Sequence, residues 1–159
     1  MVWKPNVTVA GIIERDGKFL LVEEHTSQGI KLNQPAGHLE PGESLIDAVK
    51  REVLEETAFN FEPTFTTGIQ LWAKSPDDVT FLRISFAGEV KEFFPDRKLD
   101  TGIIKTVWLS QKEIEGSIDK LRSPLVLSCV NDYLEGNLFP LSVITVSYTH
   151  LTMPTTPDV

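Results

Sequence analysis

At 159 residues the chain has the length of about one domain, which at that size buries roughly two thirds of its unfolded surface, so one hydrophobic core is expected. Apolar residues at 41% and charged residues at 24%, with ten Gly and ten Pro, exclude collagen, coiled coil and wholesale disorder. Fifteen Lys and Arg against 23 Asp and Glu leave a net charge of −8, which argues against nucleic acid as a partner and means that handling anions would require a metal ion. No apolar stretch approaches the roughly 18 residues of a membrane helix, and Met1-Val2-Trp3-Lys4-Pro5-Asn6 lacks the apolar region of a signal peptide. No membrane partner and a cytoplasmic location are therefore the expectations. Cys129 stands alone, which leaves no internal disulfide and no cysteine zinc cluster, and a buried inert thiol is expected.

Val7 to Glu14, the turn Arg15-Asp16-Gly17 and Lys18 to Glu24 read as a β-hairpin, since Asp-Gly is a strong turn signal. A short strand around Lys31 to Gln34 leads into the loop Asn33-Gln34-Pro35-Ala36-Gly37-His38-Leu39-Glu40-Pro41-Gly42-Glu43. Its Gly and Pro residues let the backbone approach a ligand or metal closely and turn sharply at its end. A helix comes next: Ser44 with Asp47 makes a capping-box pattern, and Ile46, Val49 and Val53 share one apolar face.

Between Glu40 and Glu56 stand six carboxylates and two cations, half of the chain's net charge. Glu52, Glu55 and Glu56 lie at i, i+3 and i+4, one surface of the helix, which is expected to face solvent. A like-charged i,i+4 pair costs about 0.2–0.5 kcal/mol. A divalent cation would turn that cost into a gain, and oxygen ligands suit Mg²⁺ or Mn²⁺. Taken alone, the same cluster reads more readily as a solvated acidic face, and it is the glycine- and proline-bearing loop just before the helix that turns the reading toward a metal site.

Two β-rich stretches come after the helix, Thr64 to Lys74 and Val79 to Lys91, joined by the turn Ser75-Pro76-Asp77-Asp78, and Ile104 to Leu109 is a further strand. Ser110 with Glu113 opens a short helix by another capping box, and Pro124 to Glu135 reads as a helix with Pro124 in its first turn. Arg83, in an alternating strand, and Arg122, just before a helix, are candidates to hold a phosphate, with a surface ion pair as the competing reading and Arg83 preferred. His38 could touch phosphate or water, or serve packing; His25, near a turn, is read as solvated. Of Trp3, Trp72 and Trp108, Trp72 is the choice for stacking on a ring of the substrate, against a core role for any of them. From Val146 the chain is polar, Thr- and Pro-rich and aperiodic. One domain over residues 1–145 and a disordered, non-native tail over 146–159 are expected; Val-Ser-Tyr-Thr-His-Leu-Thr is what a transposon-type sequencing adapter gives when translated in one frame.

Gly37, five residues, Glu43, seven residues, then Arg51-Glu52-Val53-Leu54-Glu55-Glu56-Thr57-Ala58-Phe59 resembles the Nudix box, the signature of hydrolases of nucleoside diphosphates linked to another moiety. Ala58 is the one departure, where the family has Gly after the helix, a position at which positive φ is common. The resemblance implies a Nudix fold, an α/β/α sandwich with a mixed β-sheet. It also implies metal binding by Glu52, Glu55 and Glu56 with the carbonyl of Gly37, a base role for Glu52, and a Glu43–Arg51 ion pair that orients loop and helix.

Val7-Thr8-Val9-Ala10, the loop, Phe81-Leu82-Arg83 and Leu121-Arg122-Ser123-Pro124-Leu125-Val126 extend the likeness, over residues 3–144, to the NudJ-type group of bacterial phosphatases. That group implies Mg²⁺-dependent release of orthophosphate from nucleoside tri- and diphosphates and from hydroxymethylpyrimidine pyrophosphate, by a monomer whose partner is a small phosphoanhydride substrate. It also implies a native C-terminus continuing past Thr145. Two alternatives stand beside it: a Nudix hydrolase for an oxidised nucleotide, nucleotide sugar or dinucleoside polyphosphate, and a non-catalytic ligand sensor on the same fold.

Overall fold

A computed structural model describes residues 1–147, so that most of the tail expected to be non-native lies outside the described residues. Nine strands and three helices run in the order β1 (Asn6–Ile12), β2 (Glu14–Arg15), β3 (Lys18–Thr26), β4 (Gly29–Asn33), β5 (Ala36–His38), α1 (Leu45–Thr57), β6 (Phe59–Ala73), β7 (Thr80–Phe93), β8 (Ile103–Ser110), α2 (Gln111–Glu115), α3 (Leu125–Leu134) and β9 (Phe139–Pro140) among the described residues. One sheet has the order β5-β1-β7-β6-β9 and is mixed, because β1 runs parallel to β7 while its other pairs are antiparallel. In the second sheet β3 pairs antiparallel with β2, β4 and β8.

Strand side chains alternate between two cores, which is why the strands read as nearly continuous apolar runs. Leu20 points into a cluster with Val49 and Val53 of α1, together with Val9, Phe61 and Phe86. Its neighbours Phe19 and Leu21 enter a second cluster with Val126, Cys129 and Val130 of α3. Helices thus cover both faces of the strands, as the expected α/β/α architecture requires. Cys129 is free and buried, as expected.

The N-terminal hairpin is shorter than the sequence suggests. Asp16 at φ 52° and Gly17 at φ 78° make the expected tight turn, but only Glu14–Arg15 pair with Lys18–Phe19. Upstream of Ile13 the chain leaves β3 and pairs as β1 with β7 over seven residues. The reason is competition for edges: β8 and β4 pair with β3 beyond the turn, so β1 satisfies its backbone in the other sheet. The second difference is within the loop, where Ala36–His38 form a strand against β1, with Val9 opposite Gly37.

Candidate active site

Helix α1 forms where the sequence placed it. Ser44 is the N-cap and its side chain accepts from the Asp47 amide, while Ala58 closes the helix in the left-handed region at φ 62° with its N–H on the Leu54 carbonyl. Strand β5 then lies against the helix flank that carries the carboxylates. Contrary to the expectation of a solvent-facing cluster, Glu52 is only 8% exposed and Glu56 6%, because β5 covers that flank. Gly37 faces the Glu52 carboxylate so closely that any side chain at 37 would collide with it. The glycine of the box is therefore a steric requirement of the site.

Arg51 organises the carboxylates. Its Nε and Nη2 donate to the two oxygens of Glu43 at 3.0 and 2.8 Å, a bidentate pair, and Nη2 also reaches the His38 carbonyl at 3.0 Å. Nη1 donates to Glu52 Oε1 at 2.8 Å and to Glu55 Oε2 at 3.3 Å, with Glu40 at 3.6 Å. The Arg51 hydrogen bond holds the Glu43 carboxyl below its usual range, and the carboxylates push Arg51 up. Glu52 is raised by burial, against the opposing pull of Arg51. Burial pushes Glu56 up to about 8, although the Ala36 N–H donates to its Oε1 at 2.8 Å, and the negative charges of Glu52, Glu24 and Asp100 act in the same direction as burial.

Among the described residues no three His, Cys, Asp or Glu side chains are gathered as a ready-made metal cluster. The reason is visible in the hydrogen bonds: Arg51 engages Glu52 and Glu55, and the Ala36 amide engages Glu56. By donor chemistry the set still fits a hard divalent cation. It is all oxygen, two of its carboxylates are buried with raised proton affinity, and Oε2 of Glu52 and of Glu56 has no hydrogen-bond partner among the described residues yet is not sealed from solvent.

Beside Gly37 opens a cleft of about 210 Å³. The structure brings His38, Trp72, Arg83 and Arg122 to its walls, the four residues singled out for substrate. Trp72 stacks on Phe81, its cross-strand partner, with ring centroids 6.1 Å apart and planes 21° from parallel. Trp108 instead packs at the α1 core under the Arg15 guanidinium, and Trp3 lies exposed near the N-terminus. The His38 ring approaches Phe81 and the Asn6 amide. The two arginines differ. Arg122 is half-exposed at the rim and pairs with Glu24 at 3.1 Å. Arg83 is 6% exposed and donates to Gln34 Oε1 at 2.9 Å and Asn33 Oδ1 at 3.0 Å. A second hollow, about 660 Å³, adjoins the cleft through Trp72, Phe81 and Arg122.

Residues that sequence reasoning missed are those that act on the site from a distance in the chain: Asn33 and Gln34 on Arg83, Glu24 on Arg122, Phe81 under Trp72, and Asp100 beside the carboxylates. Only Phe81 carried a signal, an aromatic residue two positions from Arg83 on the same strand face.

A family model described as the NUDIX domain matches residues 2–126. The chain belongs to the Nudix family. Relatives named Phosphatase NudJ, from Escherichia coli K12 and from Shigella flexneri, are 40% identical over 143 residues, 90% of this Nudix chain and 92% of theirs. A solved structure described as a NUDIX hydrolase from Nitrosomonas europaea is 52% identical, with a TM-score of 0.87, and covers 91% of this chain and 98% of its own. A MutT protein from Methanosarcina mazei Go1 is 27% identical at a TM-score of 0.68, over 86% of this chain and 99% of its own. This Nudix protein is thus an enzyme that hydrolyses phosphoanhydrides. No helix among the described residues is long and apolar enough to cross a membrane.

Proposed function

We propose that this Nudix hydrolase is a Mg²⁺-dependent phosphohydrolase of the NudJ kind, releasing orthophosphate from nucleoside tri- and diphosphates and from hydroxymethylpyrimidine pyrophosphate, with Mn²⁺ able to replace Mg²⁺. The catalytic domain is residues 1–145, and it works as a cytoplasmic monomer. One observation carries this reading most: a single small cleft joins an aromatic stack, a buried arginine and the Gly37–Glu52 contact. The 40% identity to relatives named Phosphatase NudJ supports a phosphatase activity of this kind.

Glu52, Glu55 and Glu56 with the Gly37 carbonyl would hold the cation, which when bound neutralises phosphate charge and lowers the pKa of water. Glu52, buried and raised, is the base that takes the proton of the attacking water. Arg51 and Glu43 keep helix and loop in register by their bidentate pair. Arg83 binds a phosphate oxygen, His38 and Arg122 contact the phosphates from the rim, and the Trp72–Phe81 stack takes the ring of the substrate. The hollow of about 660 Å³ beside the cleft favours a second reading, cleavage of a larger nucleotide sugar or dinucleoside polyphosphate.

Phosphate release, with and without Mg²⁺, across hydroxymethylpyrimidine pyrophosphate, nucleoside di- and triphosphates, a nucleotide sugar and a dinucleoside tetraphosphate tests the proposal. Metal-dependent orthophosphate from the first two classes is the expected result. Turnover of only the larger substrates would replace it with the second reading.

A further inference from the structure

Arg83 is a buried guanidinium that meets no carboxylate among the described residues. Its hydrogen bonds run to two amide oxygens, Gln34 Oε1 and Asn33 Oδ1, and weakly to Cys129 Sγ at 3.8 Å. The direction of the Gln34 amide is set, because its Nε2 donates to the Val126 carbonyl at 2.7 Å in a fully buried position. Two amides supply geometry and dipole where a carboxylate would supply a compensating charge. Not all of the donor capacity is used: Nε has no partner among the described residues and is not sealed from solvent, since Thr67 Oγ1 is the one buried side-chain polar atom without a partner among them. A buried cation with neutral partners and a free donor at a cleft wall is incomplete by itself.

We infer that Asn33 and Gln34 are positioning residues that aim Arg83 at an anionic group of the substrate while leaving its charge uncancelled, so that substrate phosphate is the missing counter-ion. The neutrality of the pair is what counts. The other arginine of the cleft, Arg122, already pairs with Glu24 and cannot serve in the same way. This inference rests on the phosphohydrolase reading for its kinetics, but not for its binding.

The test is Asn33→Asp, a near-isosteric change that keeps the acceptor for Arg83 Nη2 and adds the counter-ion. Binding of imidodiphosphate in Mg²⁺ buffer and the KM for the preferred nucleotide are measured together with Tm. A charge-assisted hydrogen bond lost to an internal ion pair weakens imidodiphosphate binding and raises KM by about ten- to a hundredfold, with kcat changed by less than about threefold and Tm unchanged or higher. On an Arg83→Gln background, itself weakened to the same degree, Asn33→Asp adds no further loss. Unchanged imidodiphosphate affinity and KM in N33D, or an equal further loss on the R83Q background, would overturn the inference. Should N33D not fold, R83Q decides: full imidodiphosphate affinity there would overturn it too. A wild type that hydrolyses nothing but binds imidodiphosphate in an Arg83- and Asn33-dependent way would sink the phosphohydrolase reading and leave this inference in place. Turnover with indifferent variants would do the reverse.

Discussion

Arg51, partly buried, and Arg83, buried, are the two arginines drawn into the site, and they have opposite surroundings. Arg51 meets Glu40, Glu43, Glu52 and Glu55, whereas Arg83 meets Asn33, Gln34 and a thiol. A guanidinium saturated with carboxylates is a structural tie: it holds the acidic helix flank together against its own repulsion. One met by two amides and a thiol keeps its field, which is what the proposed role of Arg83 in holding an anion requires. On the proposed role of Arg83, the contrast teaches that the partner set of a guanidinium, more than its burial, separates a scaffold from a binding group.

The acidic side of that contrast breaks first. Glu56→Gln keeps the acceptor for the Ala36 amide and removes a buried charge; kcat is expected to fall by about two orders of magnitude or more, with Tm equal or higher at pH 8. Glu52→Gln should behave alike. Thermal melts beside Mg²⁺-dependent turnover check this, and a variant of full activity would remove the metal-binding role. Next comes Arg51→Met, which frees four carboxylates from their shared cation. A loss of about 3 kcal/mol in denaturant unfolding is expected, discounted for the partly open position, together with loss of activity.

A pH experiment sharpens the comparison without mutation. Glu56 stands at about 8 in the folded protein against an ordinary value of 4.5, so the folded state holds this proton the more tightly. Its contribution to stability is therefore fully present below about 4.5 and is lost as pH rises toward 8. In chelator the Tm is expected to fall between pH 5 and 8, and saturating Mg²⁺ should reverse most of that fall by taking the place of the proton. A metal-free Tm that rises over the same interval would contradict the burial of Glu56. The smallest effect is at Ala58, which pays for positive φ at the helix end but buries a methyl group. Ala58→Gly should stabilise by about 0.5 kcal/mol, read as a Tm increase of about 1–2 °C with unchanged kcat.

Much of the acidic side was legible because it is local. Ser44, Val49, Val53 and the three glutamates lie within about four helical turns, so spacing alone puts them on defined faces, and the αL end at Ala58 follows from where the helix must stop. Their burial was not legible, since it comes from β5, a stretch that reads as loop until β1 pairs with it. The hairpin was overextended for a related reason. A turn motif specifies the two residues on either side of it, but how far the ladder runs depends on which other strands compete for the edge of β3.

By itself, then, the sequence determined the acidic helix and the candidates Arg83, Arg122, His38 and Trp72, which short-range periodicity and place in an element carry, and, through the resemblance of its box to the Nudix signature, the sandwich class. Only the tertiary structure decided which arginine is paired with a carboxylate and which is not. Glu24 is 98 residues from Arg122, and Asn33 and Gln34 are 50 and 49 from Arg83. Contacts at that separation are set by sheet order and helix docking, through packing free energy summed over two cores, and no local pattern of residues encodes them.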